Sequence, residues 1–582
     1  MTHSPISLQF SADLPVDAYF CNDWRIRVYG RVFRTDMSGP PLSARALMEY
    51  LLEAGDEPLH HAARPKWEKL AQCDGEFIAV IENRRCGHAW VCADPLGNMR
   101  AHWIETDQHI HLAERPAPLL SLLAANGPVR LNRERLLSHF AASGVAADGC
   151  FFAHMHSLLP GHVLHVRTNP DNRTVLASCQ PYYRLPESPL WKNIQQPASA
   201  VGSQEELDDW AHRLRTSLNA AINRYWPESS TETVALSLSG GLDSGLIAGL
   251  LAKRCQATGQ QATGISYLFK DAPRADESQW IRQYAHTPLS THTFDASHLL
   301  PLNAPWPVLP DAPTSSPYRH IKHALYQHSQ HLGCAQLFTG VYADHLYSGW
   351  IYHGMDRWRH SPWQGLLYCL THGPGIRRRL APLAPGKWRR MIRHRCDWLQ
   401  PEAQKALAAI SPWPGWHRWH PHPAQALLTG GLYAADSVWL EAIFARQNDI
   451  QLVHPYRYRP LVETIMGIPA WVLGNPHDTK RLARRAIRGL VTEDIAQRRQ
   501  PRSLTPVFVA GVLQKNRDMV QDMLYRRGAN WQEFVDKKAI ERVLKNPHAD
   551  HSEASYVALW QCLSYELWRY EVQKRIGQTI SV

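Results

Sequence analysis

The sequence predicts an α/β protein made of two domains that a linker joins. Residues 1–185 contain short apolar stretches separated by turn residues, a pattern that is typical of a β-rich domain. Residues 205–582 first alternate between strand-like and helix-like segments and then become mostly helical, which predicts a parallel sheet covered by helices. Residues 186–204 are rich in Pro, Ser and Gln, show no sustained period, and are predicted to form the linker.

Length and composition place the chain among globular proteins. A chain of 582 residues is too long for one ordinary core, and 44% hydrophobic with 20% charged residues is typical of soluble domains. No apolar run is long enough to cross a bilayer, and the first residues lack the features of a secretory signal, so we expect a cytoplasmic protein without a membrane partner. The 11 cysteines lack C-x-x-C and zinc-ligand spacing, which favours reduced, buried thiols.

The chain is basic. Its net charge of +11 favours an anionic partner such as a nucleotide, a nucleic acid or an acidic peptide. Part of this charge lies in residues 377–395, a segment that we call the basic segment. Such a run is usually a solvated face, and a contact with phosphate or peptide is the alternative.

Apolar segments and turn residues mark the elements of the first domain. The segments Glu76–Glu82, His88–Cys92 and His109–Ala113 are each predicted to form a strand. Asp94–Gly97 has the composition of a turn, because Asp, Pro and Gly favour the backbone angles that turns require.

The second domain begins with alternating helices and strands and ends with a helix that we expect to be amphipathic. The predicted elements are a helix over Glu205–Tyr225, a strand over Val234–Leu238, a helix over Ser244–Arg254, a strand over Thr263–Phe269, a helix from about Asp276, a strand over Gln336–Thr339 and the terminal helix over Tyr556–Arg575.

A glycine loop with the sequence SGGLDS, from Ser239 to Ser244, joins the first of these strands to a helix. Gly240 and Gly241 let the backbone approach an anion closely and take positive φ at little cost. The helix that follows offers unpaired N–H groups and a positive dipole end, which together bind phosphate. Asp243 beside a pyrophosphate makes sense as a ligand of bridging Mg²⁺. The loop therefore predicts binding of a nucleotide with its metal.

The loop is not a Walker A motif, because it lacks the G-x-x-x-x-G-K-[ST] pattern and its lysine. It is similar to S-G-G-x-D-S, the signature of PP-loop enzymes, which cleave ATP between the α and β phosphates. The alternative is a glycine-rich turn in which Asp243 is only a helix cap.

A second carboxylate is expected, since one aspartate alone would be a poor Mg²⁺ site. Asp344 follows the strand that ends near Thr339 and Gly340, and ligands of open parallel sheets collect at the carboxyl ends of the strands. We therefore predict that Asp243 and Asp344 hold Mg²⁺ and that Gly340 lies beside the nucleotide.

With both loops identified, the chain resembles the asparagine synthetase-like superfamily over nearly its full length. Thr339–His345 looks like the second motif of that superfamily, S-G-E-G-[SA]-D-E, and Lys480–Val507 resembles the stretch that holds a late catalytic lysine. The other matching segments are Gly75–Phe77, Asp94–Gly97, Leu112–Glu114, Leu158–His162, Arg446 and Val453–Tyr456, with Tyr458 where Asp is usual. The resemblance implies an N-terminal Ntn-hydrolase-like αββα sandwich of the glutamine-amidotransferase type. It also implies a C-terminal PP-loop domain of the adenine nucleotide alpha hydrolase-like kind.

Departures from the family pattern distinguish between its members. Glutamine-using members need a nucleophilic Cys where this chain has Thr2, so we expect an inactive amidotransferase-like domain and a nucleophile other than ammonia. Val341 stands in place of the acidic residue of the second motif, and the adjacent Tyr342 is kept as a candidate catalytic residue. Arg499 and Arg502 flank the place of the late lysine, and either arginine could neutralise the developing pyrophosphate.

These departures fit an enzyme whose nucleophile is an amine of its own substrate. A peptide α-amine has a pKa of about 7.7–8.0, so roughly a tenth of it is deprotonated at pH 7 and a strong base is less necessary. The chain is most similar to lasso peptide cyclases, which are ATP-dependent macrolactam synthetases. This resemblance implies ATP and Mg²⁺ as cofactors and adenylation of an Asp or Glu side chain of a ribosomally made precursor peptide. It also implies a protease partner that removes the leader, and no nucleic-acid partner.

Three other functions stay open. A β-lactam synthetase-like ligase would close a small amino acid on itself. A tRNA-modifying PP-loop enzyme is suggested by the positive charge and opposed by the family-like first domain. A non-catalytic protein with a decayed site is opposed by the retention of both aspartates. The basic segment is a candidate docking surface for the protease or the precursor.

Overall fold

The computed structural model describes most of the chain from Ile6 to Val582. The residues outside the described part are 9, 11–13, 37–38, 54–63, 107–108, 143–148, 169–173, 186–203, 228–231, 286, 348–362, 364–395, 411–435, 467, 469–472, 475–477, 500–502 and 548–550. Nearly all of the predicted linker and the whole basic segment therefore lie outside the described residues. Within the described ranges, every helix is too short or too polar to cross a lipid bilayer.

Two stacked sheets form the first domain. One has six strands in the order β10-β9-β5-β4-β3-β2, and its pairs are antiparallel, while the other has the order β1-β7-β6-β8. The strands are β1 Ile6–Leu8, β2 Val16–Cys21, β3 Trp24–Arg34, β4 Cys73–Asn83, β5 His88–Ala93, β6 His102–Glu105, β7 Ile110–Ala113, β8 His156–Ser157, β9 His162–Thr168 and β10 Thr174–Pro181. The three predicted strands are thus confirmed, with ends that shift by at most three residues.

Strand β4 contains an unbroken apolar run, Phe77–Ile81. Ile78 and Val80 belong to the core between the two sheets, whereas Phe77, Ala79 and Ile81 pack with a helix on the outer side. Because successive side chains of a strand face opposite ways, both faces of β4 are buried.

Helices cover the outer faces of both sheets. The first, α1 (Ala44–Leu52), packs on the six-stranded sheet near the short α2 (Trp67–Leu70). The smaller sheet packs its outer face against α3 (Leu120–Ala125) and α4 (Arg133–Phe140). The layers therefore run helix, sheet, sheet, helix, which is the αββα arrangement that the resemblance implies.

A five-stranded parallel sheet forms the centre of the second domain. Its strands are β11 Thr233–Ser237, β12 Ala262–Leu268, β13 Ser290–Asp295, β14 Cys334–Phe338 and β15 Gln451–Val453. They lie in the order β13-β12-β11-β14-β15, and every pair is parallel. The chain winds outward from β11 to β13 and then crosses back to β14. This reversal creates a crevice between the carboxyl ends of β11 and β14, where ligands of such sheets bind.

Many helices surround this sheet. They are α5 Gln204–Tyr225, α6 Leu242–Thr258, α7 Ser278–Ile281, α8 Arg319–His331, α9 Ala343–Tyr347, α10 Pro401–Ala409, α11 Asp436–Arg446, α12 Arg459–Met466, α13 Arg481–Ile487, α14 Glu493–Gln497, α15 Thr505–Phe508, α16 Arg517–Tyr525, α17 Lys537–Lys545 and α18 Glu553–Ile576. The predicted helices and strands of this domain are confirmed to within a few residues, except that α7 is a single turn.

The terminal helix α18 is not amphipathic, so that prediction is wrong. Every residue from Ala558 to Glu566 is buried, which is more than two full turns. One of its buried polar members, Glu566, accepts hydrogen bonds from the backbone amides of Asn530 and Trp531. The middle of the helix is a central core element, because neighbours cover it on all sides.

Two arginines after β15 connect the domains. Arg457 donates to the side chain of Asn98 at 2.6 Å and to the carbonyl of Leu96. Arg459 donates to the carbonyls of Ala71 and Cys73 at 2.6 and 2.7 Å. The turn that follows Asp94 in the first domain is thereby fixed to the segment that leaves the parallel sheet.

Candidate active site

The glycine loop after β11 has a positive φ at Gly240 but not at Gly241, whose φ is −82°. Gly240 takes a φ of +67°, and a Cβ added there would lie 2.7 Å from Cβ of Trp280, so glycine is required for both reasons. The hydroxyls of Ser239 and Ser244 lie 3.0 Å apart, and the amide of Ser239 donates to the Ser244 hydroxyl at 3.2 Å. Helix α6 begins after Gly241, so its first amides are available at the mouth of the loop.

The second loop, which follows β14, packs directly on the first. A Cβ added at Gly340 would lie 2.8 Å from the amide nitrogen of Ser244, so the two backbones are in contact. The Thr339 hydroxyl lies 2.7 Å from Nδ1 of His454, the residue that follows β15. Gly340 thus holds the loops together, in addition to its predicted place beside the nucleotide.

Asp243 and Asp344 meet at this crevice, and a lysine joins them. The Nζ atom of Lys480 lies 2.5 Å from Oδ2 of Asp243 and 2.6 Å from Oδ1 of Asp344. The Asp243 side chain is 17% exposed, that of Lys480 is 23% exposed and that of Asp344 is 71% exposed. Asp243 therefore lies at the inner end of the cluster and Asp344 at its outer end.

Burial and charge act on the protonation of this cluster. Burial raises the pKa of Asp243 to about 6, Lys480 opposes the rise, and the charge of Asp344 adds to it. Burial alone would lower the pKa of Lys480, but the two carboxylates outweigh it and the pKa is raised. Lys480 is therefore an ammonium at neutral pH.

The carboxylates fit a divalent metal ion. Among the described residues, Oδ1 of Asp243 is buried and has no hydrogen-bond partner. A buried carboxylate oxygen without a donor is costly in an apolar surrounding and suits a cation ligand. Asp344 supplies a second, more exposed carboxylate on the other side of Lys480. These two residues are thus suited to hold Mg²⁺.

Arg498 is a residue of the site that the sequence analysis missed. It donates to the carbonyl of Gly240 at 3.0 Å and to Glu277 at 2.7 Å, and its guanidinium lies 4.9 Å from the ring centroid of Trp280. Its own carbonyl accepts from Arg484 at 2.6 Å. Arg498 therefore links the glycine loop to the segment after β12.

The other predicted residues lie in different surroundings. Arg499 is exposed, next to Arg498, while Arg502 and Thr2 lie outside the described residues. Tyr342 has a φ of +79°, and its ring is 4% exposed with the guanidinium of Arg457 at 4.6 Å. Val341 points to solvent with 43% exposure. The roles proposed for Tyr342, Arg499 and Arg502 stay predictions.

Lys480 was within reach of the sequence analysis, because it opens the segment that resembles the stretch with the late lysine. The expected position of the lysine lay some twenty positions further on, between Arg499 and Arg502. No spacing rule indicates that the chain between α12 and α13 returns to Asp243. Arg498 likewise had no signal that separates it from its neighbour Arg499.

Among the solved structures that match the chain, two show how weak the similarity is. They are glutamine phosphoribosylpyrophosphate amidotransferase from B. subtilis with ADP and GMP, and an allosteric regulatory enzyme of purine biosynthesis. The first is 10% identical, with 55% of this chain and 71% of that chain covered, and the second is 8% identical, with 50% and 64% covered. Both TM-scores are 0.19, which is too low to support a common fold.

No curated protein matches the sequence. Residues 184–570, about two thirds of the chain, match the profile of asparagine synthase, whose members are ATP-dependent carbon–nitrogen ligases. This match covers both loops, both aspartates, Lys480 and Arg498. The chain belongs to the asparagine synthase family.

Proposed function

We propose that the protein is an ATP-dependent ligase that adenylates a carboxylate of a peptide and closes a macrolactam, as lasso peptide cyclases do. The observation that carries the proposal is the contact of the two loops at the crevice, with Asp243 and Asp344 joined by Lys480. A loop of this kind suits a pyrophosphate, and the carboxylate pair suits its metal ion.

Several residues of the site have a role in this reaction. The amides of Gly241 and the first turn of α6 bind the β and γ phosphates, with the hydroxyls of Ser239 and Ser244 beside them. Asp243 and Asp344 would hold Mg²⁺, which supplies positive charge to the phosphate oxygens when pyrophosphate leaves. Arg498 donates a hydrogen bond to the carbonyl of Gly240 and so keeps that oxygen turned away from the phosphates.

The reaction has two steps. A carboxylate oxygen of the substrate attacks the α-phosphorus of ATP, the bond to the β-phosphate oxygen breaks, and pyrophosphate leaves. The amine nitrogen then attacks the activated acyl carbon, AMP leaves, and the nitrogen loses a proton. The net change in the peptide is the loss of one water.

The second loop favours an amine nucleophile that does not need a strong general base. Val341 offers a hydrocarbon side chain at the position of the acidic residue in the family motif. A peptide α-amine with a pKa of about 7.7–8.0 is partly neutral at physiological pH, so positioning contributes most of the rate. The precursor peptide, without its leader, and the protease that removes the leader are the partners that this function requires.

The test is carboxylate-dependent turnover of ATP by the full chain. Mg-ATP is supplied with a leaderless peptide that contains an internal Asp or Glu, with aspartate and ammonia, or with small β-amino acids, and AMP, pyrophosphate and product mass are followed. We expect AMP release with the peptide and a product lighter by one water. Asp243→Asn should abolish both.

Other outcomes would change the assignment. AMP release only with small amino acids would indicate a β-lactam synthetase-like ligase. Formation of ADP, or no turnover with any carboxylate, would refute adenylation at the glycine loop. RNA-dependent turnover that weakens steeply with salt would indicate a tRNA-modifying enzyme.

A further inference from the structure

Lys480 occupies the place between the two carboxylates that a metal ion would use. Its ammonium contacts one oxygen of Asp243 and one of Asp344, at 2.5 and 2.6 Å. The opposite oxygen of Asp243 has no hydrogen-bond partner among the described residues. The carboxylate pair is therefore neutralised only in part, and it keeps a buried acceptor for a further cation.

An ordinary structural ion pair does not explain this arrangement. Asp344 is 71% exposed, so water could solvate its carboxylate without Lys480. Lys480 itself takes a left-handed φ of +57°, which is unfavourable for a residue with a Cβ. Its charge also lies at the start of α13, where a helix prefers anions.

We propose that Lys480 is a displaceable counter-cation, which neutralises Asp243 and Asp344 in the nucleotide-free protein and moves to the nucleotide phosphates when a divalent metal binds. This inference rests on the proposed use of ATP and its metal. Two carboxylates and one ammonium carry a net charge of −1, which attracts a divalent cation. Once the metal is bound, the same group would carry +1, so the ammonium is repelled and needs a new anion.

The phosphates that the glycine loop binds supply that anion, close to Lys480. Asp243 lies within the loop itself, one residue before Ser244, so phosphates held at α6 are next to the carboxylate that Lys480 leaves. A partly buried ammonium without a partner would be costly, and phosphate oxygens remove that cost. The exchange brings a lysine ammonium to the nucleotide phosphates, in a chain whose expected place for the late lysine is flanked by Arg499 and Arg502.

The experiment measures binding of Mn²⁺, a paramagnetic substitute for Mg²⁺, by electron paramagnetic resonance. The full chain is titrated with Mn²⁺ alone and with the α,β-methylene analogue of ATP, which cannot be cleaved between these phosphates. Lys480→Met is compared with Lys480→Arg, which keeps the charge, and with Arg481→Met. Arg481 is the next residue and pairs with Asp478 at 3.7 Å, so it controls for loss of a cation at the same helix end.

Opposite changes in two affinities are expected of Lys480→Met. Mn²⁺ without nucleotide should bind at least tenfold tighter than to the wild type, because the competing ammonium is gone. The ATP analogue should bind at least tenfold more weakly at saturating Mn²⁺, because its phosphates lose the ammonium. Lys480→Arg and Arg481→Met should keep Mn²⁺ affinity within about threefold of the wild type.

Two results of the affinity measurements would overturn the inference, and they are distinguishable. Equal Mn²⁺ affinity of the wild type and Lys480→Met shows a static ion pair, and the proposed function stands. No Mn²⁺ binding by either protein, with or without the analogue, refutes the metal site and the proposed function together. If Lys480→Met does not fold without metal, Mn²⁺ should restore its thermal transition, and failure to do so identifies Lys480 as a structural residue.

Discussion

At Gly340 the absence of a single methyl group lets the two loops of the active site touch. A Cβ added at this position would have the amide nitrogen of Ser244 as its nearest neighbour, at 2.8 Å. Backbone atoms cannot move aside as a flexible side chain can, so any larger residue must separate the loops.

Gly340→Ala should therefore lower ATP-dependent turnover about tenfold or more, since small displacements of catalytic groups are costly. The second loop carries Asp344, so its shift moves one carboxylate away from the other. Turnover is measured under saturating Mg-ATP, and circular dichroism checks the fold. Gly39→Ala is the matched control, because nothing lies within 4 Å of a Cβ at Gly39. Full activity of Gly340→Ala would show that the contact between the loops is dispensable.

Short segments outside the parallel sheet position the glycine loop, and Arg498 connects these segments. Its segment follows α14, while Glu277 precedes α7 and Trp280 lies within α7. The guanidinium of Arg498 joins its own segment to that of Glu277 and Trp280 through donors in fixed geometry. A lysine side chain cannot reproduce this geometry.

Arg498→Lys should raise the KM for ATP about tenfold with a smaller effect on kcat, because one hydrogen bond to a charged group is worth about 1.5–3 kcal/mol and is present before and during the reaction. Arg499→Lys provides the comparison, since Arg499 is the exposed neighbour that the family pattern indicates. Steady-state kinetics on both variants shows which of the two arginines has the larger effect on the KM for ATP. A larger effect at Arg499 would support the pattern-based assignment over the contacts of Arg498.

The sequence predicted the elements that carry the nucleotide loops and missed those without an apolar signal. Strands β11 and β14 are short buried runs followed by glycine, and both were predicted to within two residues. Strand β13, with the sequence STHTFD, lies at the edge of the sheet and lacks an apolar run. Strand β15 has three residues, which is too short for any periodicity. Contacts between distant segments, such as Lys480 with Asp243, have no local signal at all.

His102, which is buried between the domains, makes the stability of the molecule depend on pH. His102 of β6 contacts Trp439 of α11, with ring centroids 5.2 Å apart, and its Nδ1 lies 2.8 Å from the Ser157 hydroxyl. Burial, with a further contribution from Arg100, lowers the pKa of His102 to about 3. The unfolded chain therefore binds a proton at this residue between about pH 6.5 and pH 3, and the folded chain does not.

Since the folded pKa is lowered, the stability linked to His102 is complete above pH 6.5 and decreases as the pH falls. Between pH 6.5 and pH 5, protonation of His102 in the unfolded chain should lower the unfolding free energy of the wild type by about 2 kcal/mol. This contribution is absent from His102→Gln. The difference in unfolding free energy between the two proteins should thus narrow by that amount, as measured with urea at each pH. His298→Gln, at an exposed histidine, should keep a constant difference. A constant difference for His102→Gln as well would show that His102 is not buried as a neutral ring.

The burial of α18 sets a time order for the synthesis of the molecule. Nε2 of His139 on α4 lies 3.0 Å from the carbonyl of Gln561 on α18, across 422 positions of the chain. Phe140 packs on Tyr565 with ring centroids 5.1 Å apart, and the amide of Leu131 donates to the carbonyl of Ser581 at 2.8 Å. A ribosome that adds about 5–20 residues per second needs roughly 20–80 s to cover that distance. During this interval α18 does not yet cover the apolar side of α3 and α4. The first domain is therefore translated first, but its packing is completed only when α18 has been made.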